Sequence, residues 1–121
     1  DGSATLTFRD PDTFAVEGSG EVIDDGGAPV SELNELECVD GRVWANVWQT
    51  DTIVVIDPVD GSLDATVDAS GLLTEDERAE ADVLNGIAYD ETTGKIVDGV
   101  LTLRLPKAES ARPKQIKIKS K

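Results

Sequence analysis

Residues 34–48 read "NELECVDGRVWANVW", and this stretch decides the fold. Asp40-Gly41 is a favoured two-residue hairpin turn, because a type I′ turn needs positive φ at both central positions. It sits between two apolar-alternating runs, Asn34–Val39 and Arg42–Trp48. In the second run Val43, Ala45 and Val47 fall on one face and Trp44, Asn46 and Trp48 on the other, as a strand period of two requires. The stretch therefore predicts an antiparallel hairpin.

The same plan extends in both directions. "TIVVIDPVDGSLDATVD" gives an apolar strand Thr52–Ile56, a turn over Pro58–Gly61 and a return strand Ser62–Val67. Upstream, Ala4–Asp10 reads as a strand with Leu6 and Phe8 on one side. "FAVEGSGEVID" follows as a second strand, weakened by Gly18 and Gly20. Downstream, Thr74 with Glu77 three residues later is a capping box ahead of an acidic first turn, which predicts one short surface helix near residues 75–82. A strand over Gly86–Tyr89 and a turn over Glu91–Gly94 come next. "KIV" and "VLTLRLP" then predict a hairpin about Asp98-Gly99, with Leu101, Leu103 and Leu105 on one face. A polar linker over 107–114 leads to a short strand, "QIKIK", with Ile116 and Ile118 on one side. The fold class is all-β, built of antiparallel hairpins, and repeated hairpins of this length suit propeller blades or a sandwich equally.

Composition narrows the function. The chain has 121 residues, enough for a single folding unit with its own core, and a net charge of −14. Residues 1–94 carry 23 Asp/Glu against three Lys/Arg, a net −20, whereas residues 95–121 carry eight Lys/Arg against two Asp/Glu, a net +6. So acidic a body repels nucleic acid and anionic membrane, and neither is expected as a partner. The basic tail lacks the interleaved aromatics that would stack on bases. There is no histidine, which removes the usual general base near neutral pH and the commonest metal ligand. The acidic turns do not follow the alternating calcium-loop pattern, so no metal and no cofactor are expected. The lone Cys38 is expected to be a small buried hydrophobe and leaves the compartment unread. No apolar run is long enough to span a membrane and no basic-then-apolar leader is present, so a soluble chain is expected.

The string "LNELECVDGRVWANVWQTDTIVVIDPVDG", followed by "DVLNGIAYDETTG" and preceded by "DGSATLTFRDPDTFAV", resembles the plant and bacterial type of glutaminyl-peptide cyclotransferase over residues 1–94. The resemblance implies a five-bladed β-propeller that cyclises N-terminal glutamine to pyroglutamate with release of ammonia, of which these residues would form roughly two blades. It also implies that Asn34 and Trp48 line the substrate pocket, Asn34 bonding the amide and Trp48 forming an aromatic wall. The bland alternative is that Asn34 satisfies strand-end backbone groups while Trp48 packs. The family's catalytic glutamate would lie in an earlier blade, and its lysine would fall near Val100–Leu101, where this chain has neither charge.

Residues 96–121 instead resemble the C-terminal end of a small heat shock protein. The motifs are Gly99-Val100-Leu101 in a last hairpin, "LPKAE", and the Ile116-Lys117-Ile118 tail, so Gly99, Leu101, Ile116 and Ile118 are candidate interaction residues. The two resemblances meet at the charge break. Together they imply a chimera in which grafted C-terminal strands complete propeller-blade-like sheets, with no catalysis retained, no small-molecule or peptide substrate expected, and self-association through sheet edges or strand exchange. Residual glutaminyl cyclisation and a chaperone-like binding module are the alternatives.

Overall fold

The computed structural model describes residues 2–102, 114–115 and 118–120, with side chains over 2–84 and 86–96. Three antiparallel sheets stack face to face. The outer sheet on one side pairs β1 (Thr5–Arg9) with β2 (Val16–Glu21). The middle sheet is a meander of β3 (Leu33–Val39), β4 (Arg42–Val47), β5 (Thr52–Ile56) and β6 (Leu63–Asp68). On the other side β7 (Ala81–Asp90) pairs with β8 (Lys95–Thr102), and β8 with β9 (Lys114–Gln115). A final strand, β10 (Ile118–Ser120), lies antiparallel against the outer edge of β6. The arrangement is all-β and blade-like: one complete four-stranded meander with β10 on its edge, flanked by parts of two others, rather than the two blades that length suggested.

The reason for this stacking is written in β4 and β5. "RVWANV" and "TIVVI" are apolar on both faces, so a sheet centred on them must be covered twice. Trp44, Ile53, Val55, Ala65 and Val67 face one way and pack with Leu84, Ile87 and Tyr89 of β7. Val43, Ala45, Val54, Ile56 and Leu63 face the other way and pack with Leu6 and Val22 from the first sheet. Ile53 and Ile56, one for each core, are fully buried, and each such side chain contributes roughly 1.5–3 kcal/mol.

Turn chemistry sets the register. Asp40 and Gly41 both take positive φ, at 48° and 76°, as the two-residue turn demands, and the ladder runs from Val39↔Arg42 outward. Three other hairpins share one five-residue turn beginning at Asp10, Asp57 and Asp90. In each the aspartate carbonyl accepts from the fifth residue's N–H (Phe14, Gly61, Gly94), at 2.8–2.9 Å, and the carboxylate accepts from the backbone two residues on. The fifth residue has positive φ every time, which glycine accommodates in two of the three turns.

Several expectations are corrected. The helix, α1 (Glu75–Glu80), carries the expected capping box but ends before Ala81, because β7 begins there and runs ten residues, not four. Asp98-Gly99 makes no turn: Asp98 pairs with Ile87 and Val100 with Leu84, so β8 passes straight through, and irregularities in β7 around Gly86 absorb the mismatch. A turn dipeptide folds back only when its flanks prefer each other, and here both flanks find β7. Cys38 is exposed, not buried. It sits on β3, the edge of the middle sheet, where the β1–β2 sheet does not reach to cover it. The strand expected over 115–119 is described only at 114–115 and 118–120. Leu103, Leu105 and Ile116 lie outside the described residues, as does nearly all of the linker.

Candidate functional site

The open end of the β3–β4 hairpin carries a cleft of about 300 Å³ lined by Gly2, Glu32, Leu33, Asn34 and Trp48. It is assembled by two backbone bonds that bracket one residue. The Glu32 N–H donates to the Gly2 carbonyl at 2.7 Å, and the Trp48 N–H donates to the Glu32 carbonyl at 2.8 Å. The chain ahead of β1, the entry to β3 and the exit of β4 are thereby tied at one point. Asn34, half-buried, lies directly across the ladder from the buried Asn46, so two carboxamides stand side by side behind the cleft. Trp48 is 43% exposed, which leaves its indole available as a wall.

The backbone here is under tension. Of the five non-glycine residues with positive φ among the described residues, Glu32, Glu35 and Gln49 lie within two residues of Asn34 or Trp48. Such conformations cost on the order of 1 kcal/mol or more each and collect where a structure must aim a side chain. The bulge between Asn34 and Glu37 has the same effect, releasing the β3 edge from strict alternation so that Leu36 turns outward.

A second cleft, of about 250 Å³, lies beyond the β4–β5 turn and is bounded by Gln49, Asp51, Arg78, Asp82 and Leu84. Its cation is engaged: Arg78 meets Asp51 at 3.1 Å and donates to the Ser70 carbonyl at 3.1 Å. The perturbed carboxylates lie elsewhere, in the turns. Hydrogen bonds from the Thr13 backbone and hydroxyl hold Asp10 below the ordinary aspartate range. The Ser62 hydroxyl and N–H do the same for Asp60, and the Thr93 hydroxyl and Thr92 N–H for Asp90. Among the described residues no three His, Cys, Asp or Glu side chains are grouped so as to hold a metal ion. No described helix is long and apolar enough to cross a membrane.

The structure brings Asn34 and Trp48 together. Sequence reasoning missed Glu32 and Gly2, whose place in the cleft depends on a left-handed backbone and on a contact thirty residues apart. Gly99 and Leu101 fall within β8 and Ile118 within β10. Lys95 opens β8 opposite Asp90 and does not line it.

The glutamine cyclotransferase family matches residues 1–100. The chain belongs to that family. The glutaminyl-peptide cyclotransferase of Arabidopsis thaliana is 40% identical over 120 residues, covering 91% of this chain and 37% of the relative. The crystal structure of Myxococcus xanthus glutaminyl cyclase superposes with a TM-score of 0.77 at 34% identity, covering 99% of this chain and 50% of that one. This cyclotransferase-family chain thus spans half or less of the relatives it matches. The family match does not stop at Gly94 but continues to residue 100, and nothing in these likenesses shows a small heat shock protein segment or a fusion.

Proposed function

We propose that the Asn34–Trp48 cleft receives the N-terminal glutaminyl residue of a peptide, as one wall of a cyclotransferase site. The γ-carboxamide of glutamine is both donor and acceptor, and Asn34 offers the complementary pair of groups. Trp48 supplies an apolar face for the aliphatic stem. In the reaction the neutral α-amine attacks the carbonyl carbon of the γ-carboxamide, the ring C–N bond forms, the amine's proton passes to the amide nitrogen, and the original C–N bond breaks to release ammonia. Holding amine and amide in one compact conformation is the largest single contribution a binding wall can make to such a ring closure. The observation that carries the reading is that the two residues singled out by the resemblance line one cleft in a chain of this family.

The test is binding of a glutaminyl peptide against the same peptide beginning with alanine, followed by tryptophan fluorescence. Asn34→Ala removes one amide pair and is expected to weaken glutaminyl binding by a few-fold to tenfold, about 0.5–1.5 kcal/mol. Equal affinity for the two peptides would overturn the reading. Ammonia release above the buffer rate, lost in Asn34→Ala, would extend recognition to turnover.

A second reading is favoured by the charge reversal after Gly94: the basic residues beyond it attract the acidic body of a second copy, and chains self-associate. Its mark is a mass above that of the monomer in light scattering.

A further inference from the structure

The cleft contains a charged group that the proposed amide recognition does not use. Glu32 lies two residues before Asn34, and its backbone is fixed at φ 62° by the bonds to Gly2 and Trp48 on either side. The side chain is not folded away. A β-carbon built on Gly2 would stand 3.4 Å from Glu32 Oε2, so the carboxylate reaches over the Gly2 backbone, at the cleft's rim. Gly2 has φ 76° and no side chain, and both properties keep this approach open. None of the other lining residues, Gly2, Leu33, Asn34 and Trp48, is charged.

A peptide with N-terminal glutamine presents two polar groups on one residue, a neutral carboxamide and a cationic α-ammonium, with four bonds between the ammonium nitrogen and the carboxamide carbon. A cleft that offers an amide and, two residues away in the chain, a single carboxylate matches that pair. We propose that Glu32 is the specificity residue for the free N-terminus: its carboxylate takes the α-ammonium while Asn34 takes the γ-carboxamide. The inference rests on the glutaminyl reading of the cleft and deepens it, by naming the residue that distinguishes a free N-terminus from a blocked one. The exposed indole of Trp48, on the same cleft, adds an aromatic face that favours a cation. The strained backbone of Glu32 fits this role, since the bonds that impose the strain also fix where the carboxylate stands.

The experiment compares glutaminyl-glycine amide with its N-acetyl derivative on the full chain by isothermal titration. Acetylation removes the cation and leaves the carboxamide. An exposed ion pair reinforced by an aromatic face is worth about 1 kcal/mol, so the free-amine ligand is expected to bind about fivefold tighter. Glu32→Gln should abolish that preference with the acetylated ligand's affinity unchanged, and Glu32→Asp, which keeps the charge, should restore part of it. Added salt should erode the preference in the wild type and leave the Glu32→Gln variant unaffected. Unchanged acetyl-ligand affinity also shows that the variant is folded. Equal binding of the two ligands by the wild type, or a preference that survives in Glu32→Gln, overturns the role of Glu32 and leaves amide recognition standing. Binding of neither ligand overturns both.

Discussion

Gly61 is the residue on which the stacking of the first two sheets most directly depends. Its carbonyl accepts from the Ile23 N–H at 2.9 Å, its φ is +77°, and a β-carbon built on it would lie 2.0 Å from the Glu21 carbonyl oxygen. Backbone against backbone cannot yield as a flexible side chain would. Gly61→Ala therefore combines the left-handed penalty of about 1–2 kcal/mol with an overpacking cost of about 1–3 kcal/mol. Gly41 has nearly the same φ, +76°, but open space where a β-carbon would go. Gly41→Ala should cost the conformational part alone, about 1–2 kcal/mol. Urea midpoints of the two variants separate the effects: similar losses would show that the sheets part easily and that the Glu21 contact is not held. The same scale explains what sequence could and could not say about the site. Asn34 and Trp48 were singled out by the family resemblance, and the two-residue turn explains why they end up together at the open end of the hairpin. Glu32 was not, because its place needs a positive φ that no residue type announces and a bond to Gly2 that no periodicity encodes.

Among the elements, the hairpins about Asp40-Gly41 and Pro58–Gly61 were read nearly to the residue, unlike the one expected about Asp98-Gly99, and so was the start of α1, whose Thr74–Glu77 capping box is complete in three dimensions. Elements defined by distant partners were read poorly. β7 was seen as four residues because Asp82 and Asn85 break its alternation, and only β8, pairing along its whole length, makes it a strand of ten. The Asp-initiated turns are the elements with the clearest pH signature. Asp10 and Asp90, which begin two of these turns, and Asp60, inside the third, have carboxyls held below the ordinary value of 3.8, each by hydrogen bonds to its charged form. A carboxyl whose pKa is depressed by folding contributes stability above the unfolded value, and that contribution is lost as pH falls through the lower folded value. The turns should thus weaken from about pH 4 downward. Asn in place of Asp keeps an oxygen acceptor but cannot titrate. The double variant Asp10→Asn, Asp90→Asn is expected to lose less stability between pH 6 and pH 3 than the parent, measured by urea denaturation at each pH. An equal loss would place the acid sensitivity outside these turns.

At the scale of the molecule, the central problem is edges. A middle sheet buried on both faces is stable in its interior, yet its outermost strands present unpaired backbone groups that invite pairing with another chain. On one side the chain answers this itself: β10 lies along β6, with Ile118 opposite Val67, Lys119 opposite Thr66 and Ser120 opposite Ala65. Thr66 is flanked on the exposed face of β6 by Asp64 and Asp68. At the other side β3 ends the sheet with Leu36 exposed, and its bulge interrupts the edge that a partner would need. The β6 edge is therefore the one whose protection can be switched off by a single change. Lys119→Pro fixes φ at about −65° in the middle of a strand of only three residues and takes away one of its backbone donors, so β10 is weakened. With β10 displaced, β6 offers a straight edge to a second copy. The variant should show a mass in light scattering that rises with concentration over a range in which the parent's is constant, while a control substitution that keeps the donor, Lys119→Thr, should follow the parent. If the proline variant also follows the parent, β10 is not what keeps the β6 edge from pairing, and any self-association must run through β3 or the outer sheets instead.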